Sequence, residues 1–178
     1  MTIPTEIALS DALLRPWRRG DAESLARHAD DREVWRNMRD RFPHPYTLQD
    51  AREWLAFVAT VPPGTNFAVE IDGAAVGGIS FEPLADVFRV GAEVGYWLGR
   101  AHWGRGIMSE AVRAVSAHAF RHFDFVRLQA SVFSWNPASA HVLEKAGYAL
   151  EATNRRAMIK EGTVGDRWLY VRLREDGR

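Results

Sequence analysis

Two glycines stand where a predicted strand gives way to a long helix. Residues 93–98 have strand character, Gly104 and Gly106 follow, and apolar residues recur with helical spacing from Met108 to Phe120. Glycine tolerates positive φ and lets an anion come close to the backbone. The N-terminus of the helix adds unpaired N–H groups and the positive end of the helix dipole. The stretch therefore predicts an anion site, most often one for phosphate.

The glycine pair alone is a weak signal, and it matches neither of two better-known phosphate motifs. Ser109 occupies the third glycine position of the dinucleotide fingerprint, and no Gly-Lys-Ser/Thr follows. A second strand-to-helix junction, at Asn136 and Ser139, strengthens the signal, and Lys145 lies on the helix after it. Two such junctions side by side would hold one long phosphorylated ligand. The alternative is that Asn136 and Ser139 only cap a helix.

The composition excludes several classes of protein. The 178 residues suffice for one domain with a core. The 23 basic residues balance 23 acidic ones, and this zero net charge argues against nucleic acid as the main partner. The absence of cysteine removes disulfides, thiolate metal sites and a cysteine nucleophile. No apolar run approaches the roughly 20 residues of a membrane span, and residues 1–6 lack a secretory pattern. We therefore expect a cytoplasmic protein with no membrane partner.

The order of elements predicts one mixed α+β domain over residues 1–178, on a mostly antiparallel sheet. A first strand is expected over 8–15, and Asp21 is expected to cap the helix that follows. A β-meander is expected at 66–71, 75–81 and 87–98, with a type I′ turn at Asp72-Gly73. After the long helix come a strand at 127–133, a helix that starts at Pro137, and a last hairpin.

The six histidines form no evident ligand set. His118 and His122 lie one helical turn apart, without a third ligand or an adjacent glutamate. We expect a solvated helix face there and no metal site.

Together these motifs resemble the GNAT superfamily of acetyl-CoA-dependent N-acetyltransferases. The chain is most similar to the branch that includes the ribosomal-protein N-terminal (RimJ/RimL-like) acetyltransferases, and the resemblance covers nearly all of it. The segments that carry it are Leu14-Arg15-Pro16-Trp17, Gly20-Asp21, 93–98, Trp103-Gly104-Arg105-Gly106, Ser109-Glu110-Ala111, 136–139, 144–148 and 166–170. It implies helices on both faces of the sheet, acetyl-CoA as cosubstrate, no metal, and a primary amine as acceptor.

The resemblance also places the cofactor contacts. Two neighbouring strands part in this superfamily, and the backbone of Trp97 and Leu98 would contact the pantetheine arm between them. Asn136 and Ser139 would contact the other side of the cofactor, and Lys145 would reach its phosphates. The loop and the first helical turn would hold the diphosphate, mainly through backbone N–H groups, at Trp103, Gly104, Arg105, Gly106, Met108 and Ser109. The chain departs from the family pattern at Ala101, usually Gln or Arg, and at Met108, often a small residue.

The reaction that the resemblance implies needs an amine to lose a proton and attack a thioester. Free alkyl amines have a pKa around 10, so a general base is required. Glu93 is the only carboxylate on the central strand and is the candidate base. The alternative is that Glu93 pairs with Arg89 or Arg127. The Leu98 N–H would stabilise the oxyanion.

The leaving thiol needs little acid assistance, because its pKa is about 8.5. Many superfamily members place a tyrosine acid where this chain has Leu143, so Ser139 is the substitute candidate. A rival role for Ser139 is cofactor contact alone. Without cysteine, we expect direct transfer in a ternary complex.

The acceptor is the least defined part. Aromatic residues around the first helices, and two carboxylates elsewhere, are candidates for acceptor binding: Trp35, Phe42, Tyr46, Glu82 and Asp166. The alternative for the aromatic residues is packing of the helices on the sheet. The acceptor is a protein N-terminus or a small amine such as a polyamine, an antibiotic or an amino acid. A non-catalytic acyl-CoA-binding module is the rival function, and a homodimer stays open.

Overall fold

A computed structural model describes residues 3–175 of the chain. Its eight strands form one sheet in the order β1-β2-β3-β4-β5-β6-β8-β7, with one parallel pair, β5 with β6, among the pairings described here. The strands are β1 Ile7–Ala8, β2 Leu13–Arg15, β3 Asn66–Ile71, β4 Ala74–Pro83, β5 Gly91–Leu98, β6 Arg127–Phe133, β7 Ala149–Lys160 and β8 Thr163–Leu173. The helices are α1 Ala22–Ala29, α2 Arg32–Trp35, α3 Leu48–Val58, α4 Ile107–His122 and α5 Pro137–Lys145. The predicted α+β class with a mostly antiparallel sheet is confirmed.

The described chain divides into two compact units. The first contains the residues up to Ser80 together with Tyr96–Ala111, and the second contains Phe81–Gly95 and the chain from Val112 onward. The chain passes between them within β4, β5 and α4. The prediction of a single domain stays a prediction.

The first unit packs α1 and α3 together around a core that includes Leu25, Ala51 and Leu55. α3 begins with a capping box, in which Thr47 Oγ1 accepts from Asp50 N and the Asp50 carboxylate accepts from Thr47 N at 2.7 Å. The turn between β3 and β4 has positive φ at both central residues, as a type I′ turn requires.

The N-terminal expectations need two corrections. The expected strand over 8–15 is wrong, because Leu9 N donates to Ala12 O at 2.9 Å and turns the chain into the hairpin β1–β2. Asp21 does not cap α1 with its side chain. Its carboxylate instead accepts two hydrogen bonds of 2.8 Å from the buried Arg15 guanidinium, which also donates to Glu70.

The second unit is built on β6, which pairs with β8 along its whole length, from Arg127 opposite Leu173 to Phe133 opposite Arg167. β5 pairs with β6 over three residues only, and this register ends at Glu93 opposite Gln129. β5 starts at Gly91 and not at residue 87 as expected, because residues 86–88 form a 3-10 turn with Asp86 at φ 57°. Within residues 3–175, no helix combines the length and apolar character needed to cross a membrane.

Candidate functional site

The loop between β5 and α4 is open at both of its glycines. Gly104 has φ 75° and Gly106 has φ 78°, a conformation that side chains other than glycine rarely adopt. Apart from the adjoining residues, no atom of residues 3–175 would lie within 4 Å of a Cβ added at either glycine. Arg105, between them, is exposed. The loop therefore presents its backbone to solvent and is not filled by its own side chains.

The first turn of α4 presents the donors that an anion needs. Glu110 N donates to Gly106 O at 3.1 Å, so Gly106 is the N-cap residue of α4. The N–H groups of the first turn then have no acceptor within the helix. Ile107, Met108 and Ser109, the first three residues of α4, are buried and fix the helix in place, whereas Gly106 before them is exposed. The Glu110 carboxylate accepts from Ser10 N at 3.0 Å and anchors this turn to the β1–β2 hairpin.

The end of β5 is tied to the same loop. Trp103 Nε1 donates to Leu98 O at 2.7 Å, and Gly99 N donates to Val76 O at 2.8 Å. Since successive backbone groups of a strand point to opposite edges, the N–H of Leu98 points away from β4. The Leu98 carbonyl therefore accepts a hydrogen bond from the Trp103 indole, and the Leu98 N–H points to the edge of β5 that faces away from β4.

The loop has a second anchor that the sequence analysis missed. A Cβ at Gly99 would lie 2.8 Å from His28 Nδ1, so only glycine fits against that ring. Arg100 Nε pairs with Asp31 at 2.9 Å, and Asp31 also caps α2 through Glu33 N. Burial lowers the pKa of His28, and the neighbouring His102 and Arg27 add to this effect. These contacts join residues far apart in sequence, so no local pattern indicated them.

Glu93, the candidate base, is half-buried at the end of the β5–β6 register. Both arginines considered as its partners are engaged elsewhere. Arg127 makes two hydrogen bonds of 2.7 Å with Glu151, and the guanidinium of Arg89 donates to Asp86 O. The role of Glu93 as base stays a prediction.

At the second junction, the helix-cap interpretation accounts for one contact. Asn136 Oδ1 accepts from Ser139 N at 3.3 Å, and Pro137 occupies the first turn of α5. Lys145 is exposed in the last turn, and its carbonyl accepts from Arg113. Leu143, at the position of the usual acid, is fully buried. Cofactor contacts for Asn136, Ser139 and Lys145 stay predictions.

The aromatic acceptor candidates pack against one another in the first unit. The ring of Phe42 lies 4.8 Å from that of Tyr46 and 5.8 Å from that of Trp97, while Trp35 stacks on His44 at 5.3 Å. Tyr46 is only 6% exposed, and burial raises its pKa to about 12. Packing therefore explains Phe42 and Tyr46, and acceptor contact for them stays a prediction.

The two carboxylates proposed for the acceptor differ in setting. Glu82 is exposed at the end of β4. Asp166 is half-buried on β8, and its carboxylate accepts from Arg156 N at 2.8 Å. Asp166 thus has a structural role, whatever further contact it makes.

The expected solvated face at His118 is wrong. This side chain is 6% exposed, and its ring packs against Phe81, His122 and Phe123. Histidine spacing on a helix does not reveal which face is buried. Within residues 3–175, no group of three or more potential ligands could hold a metal ion.

Comparison with known proteins identifies the family. A family model described as an acetyltransferase (GNAT) domain matches residues 11–149. The chain belongs to the GNAT acetyltransferase family. This confirms the family that the sequence motifs indicated.

GNAT relatives include a probable N-acetyltransferase, YjcK, of Bacillus subtilis, 40% identical over 48% of this chain and 47% of that protein. The ribosomal-protein-serine acetyltransferase of Escherichia coli is 32% identical over 55% of this chain and 54% of that protein. The chain thus spans about half the length of these two relatives. A solved structure of RimL, a ribosomal L7/L12 α-N-protein acetyltransferase in complex with coenzyme A, has a TM-score of 0.81 at 22% identity, covering 96% of this chain and 97% of that one. At this identity the likeness shows the fold alone.

Proposed function

We propose that this GNAT protein transfers an acetyl group from acetyl-CoA to a primary amine on a protein or peptide. The observation that carries the proposal is the open, exposed loop at Gly104 and Gly106, which leads directly into the N-terminus of α4. Such a backbone surface binds a diphosphate through N–H groups and the helix dipole. The relatives named as ribosomal-protein acetyltransferases support a protein amine as acceptor.

The diphosphate of the cosubstrate would lie against residues 104–109. The N–H groups of the loop and of the first turn of α4 donate, and the exposed Arg105 adds a positive charge at the rim. Because these contacts use the backbone, neither Ala101 nor the buried Met108 opposes them. The residues present therefore fit the ligand despite the two departures from the family pattern.

Glu93 is proposed as the base that takes the proton of the acceptor amine, directly or through a water molecule. A bound thioester supplies an electrophilic carbonyl carbon. The Leu98 N–H, directed away from β4, is the donor proposed for the carbonyl oxygen as negative charge develops on it. Glu93 and Leu98 lie on the same strand.

The leaving thiolate needs at most weak protonation, for which Ser139 is proposed. Ser139 N is held by Asn136, and this cap positions the serine at the start of α5. Since the chain has no cysteine, the acetyl group passes directly from thioester to amine within a ternary complex.

Calorimetric titration with acetyl-CoA and with CoA tests the first step. We expect saturable binding at micromolar concentration, and absence of heat at high micromolar CoA would overturn the proposal. The second step is thiol release from acetyl-CoA with a panel of peptides and small amines.

The rival function, a non-catalytic acyl-CoA-binding module, is favoured by the buried Leu143 at the acid position. It requires CoA binding without amine-dependent thiol release. Release that is lost in Glu93→Gln would exclude the module. Release with a polyamine, an antibiotic or an amino acid, and none with peptides, would assign a small-molecule acceptor instead.

A further inference from the structure

The last hairpin contains a wide bulge in β7. Asn154 pairs with Arg167, and the next described pair joins Met158 to Gly165. Residues 155–157 therefore stand opposite a single residue of β8, Asp166. Bulges bend a strand and redirect its side chains, and they are common next to functional sites.

Asp166 holds this bulge in place from the β8 side. Its Oδ1 accepts from Arg156 N at 2.8 Å, and this bond satisfies an N–H group that lies outside the β7–β8 pairing. Asp166 N donates to Ser134 Oγ at 3.2 Å, and Ser134 N donates to Asp166 O at 3.0 Å. Ser134 lies just before Asn136, so the bulge is fastened to the junction between β6 and α5.

The neighbouring Gly165 adds to this fastening. A Cβ there would lie 2.3 Å from the ring of Trp135, which itself stacks on Phe133 at 4.6 Å. The bulge is thus a fixed part of the second unit, joined to the segment that carries Asn136 and Ser139.

The bulge presents two consecutive arginines, Arg155 and Arg156. Both are exposed, and within residues 3–175 neither guanidinium makes a hydrogen bond or ion pair. Arg156 has φ 51°, a left-handed conformation that glycine or asparagine adopts at lower cost. Arg156 thus occupies a strained position while its guanidinium makes no hydrogen bond or ion pair within residues 3–175, which points to a role for this side chain in binding.

We propose that Arg155 and Arg156 bind carboxylates of an acidic acceptor peptide, so that the enzyme prefers chains whose residues after the amine are Asp or Glu. A guanidinium matches a carboxylate through two parallel hydrogen bonds. The zero net charge of the chain favours a peptide over nucleic acid, which needs a broader basic surface. The assignment of this peptide as acceptor rests on the proposed function.

The test measures binding of fluorescent peptides to the full chain by anisotropy. Three 12-residue peptides share the first residue and carry acidic, neutral or basic residues after it. We expect the acidic peptide to bind most tightly and to weaken as salt rises. In the double variant Arg155→Ala/Arg156→Gly, the affinity for the acidic peptide should fall on the order of tenfold, and the affinity for the neutral peptide should stay unchanged.

Two further variants separate recognition from folding. Arg156→Gly removes the guanidinium and relieves the left-handed backbone, so the melting temperature should stay equal or rise while affinity for the acidic peptide falls. Arg121→Ala, which removes an exposed arginine of α4, should change neither. A lower melting temperature in Arg156→Gly with unchanged affinity would assign a structural role and overturn the proposal.

Equal binding of the three peptides by the wild-type chain would also overturn it, and so would tighter binding of a single-stranded RNA of equal charge. CoA titration of the same samples keeps the two proposals apart. Binding of CoA without acidic preference refutes the arginine pair alone. Acidic preference without CoA binding refutes the transferase alone.

Discussion

Replacement of Gly106 by alanine separates the two demands on the loop, backbone conformation and ligand binding. Gly106 has φ 78°, and no described atom beyond the adjoining residues lies within 4 Å of an added Cβ. The cost of the alanine is therefore conformational, about 1–2 kcal/mol for the left-handed backbone. For a domain of this length, each kcal/mol lowers the melting temperature by roughly 2–4 °C.

The effect on CoA should exceed the effect on folding. Relaxation of φ at the N-cap rotates the N–H groups of the loop and of the first turn of α4 away from the diphosphate. One hydrogen bond to a charged group contributes about 1.5–3 kcal/mol, so the Kd for CoA should rise roughly 10- to 100-fold. Calorimetric titration measures the Kd, and thermal unfolding measures the stability.

Gly73→Ala is the matched control. Gly73 has φ 80° in the β3–β4 turn, and an added Cβ there is equally free of described neighbours. The melting temperature of Gly73→Ala should fall by about as much as that of Gly106→Ala, while its Kd for CoA should equal that of the wild type. If Gly106→Ala and Gly73→Ala both leave the Kd unchanged, the backbone of this loop does not bind the diphosphate.

Three further predictions concern chemistry and stability. Glu93→Gln should lower kcat by about 10²–10⁴ with the Kd for CoA unchanged, as measured by thiol release; a loss below twofold would exclude Glu93 as base. Arg15→Ala leaves the Asp21 carboxylate buried without its cation, so the free energy of unfolding in urea should fall by about 3–5 kcal/mol. A decrease under about 1 kcal/mol would contradict this. Burial raises the pKa of Tyr46 and of Tyr148 to about 12, so between pH 10 and 12 the unfolded chain ionises while the folded chain does not. The free energy of unfolding, measured by urea titration, should be constant below pH 10 and should fall as the pH rises to 12. The fall should be less steep in Tyr46→Phe. A free energy of unfolding that does not change between pH 10 and 12 would contradict the burial of these tyrosines.

Much of the fold could be predicted because its signals are local. The strands at 66–71 and 127–133 have the expected bounds, since turns or breaks flank each alternating run. Asp72-Gly73 and the Thr47 capping box are short motifs whose geometry depends on a few neighbouring residues. The glycine loop was predictable for the same reason, because strand, glycines and helix follow one another directly.

Other features could not be predicted because they depend on partners far away in the chain. Asp21 looks like a helix cap in sequence, and only the fold brings Arg15 and Glu70 to a common buried network. His118 has a polar side chain on an amphipathic helix, yet aromatic residues from other elements enclose it. The anchor of Gly99 against His28 likewise joins elements that no spacing rule connects.

The most direct measurement of the central claim is a crystal structure of the chain with CoA. We expect diphosphate oxygens at 2.7–3.2 Å from backbone nitrogens of residues 104–109, with positive φ retained at Gly104 and Gly106. A CoA molecule whose diphosphate lies elsewhere, with this loop in contact only with solvent, would contradict the claim.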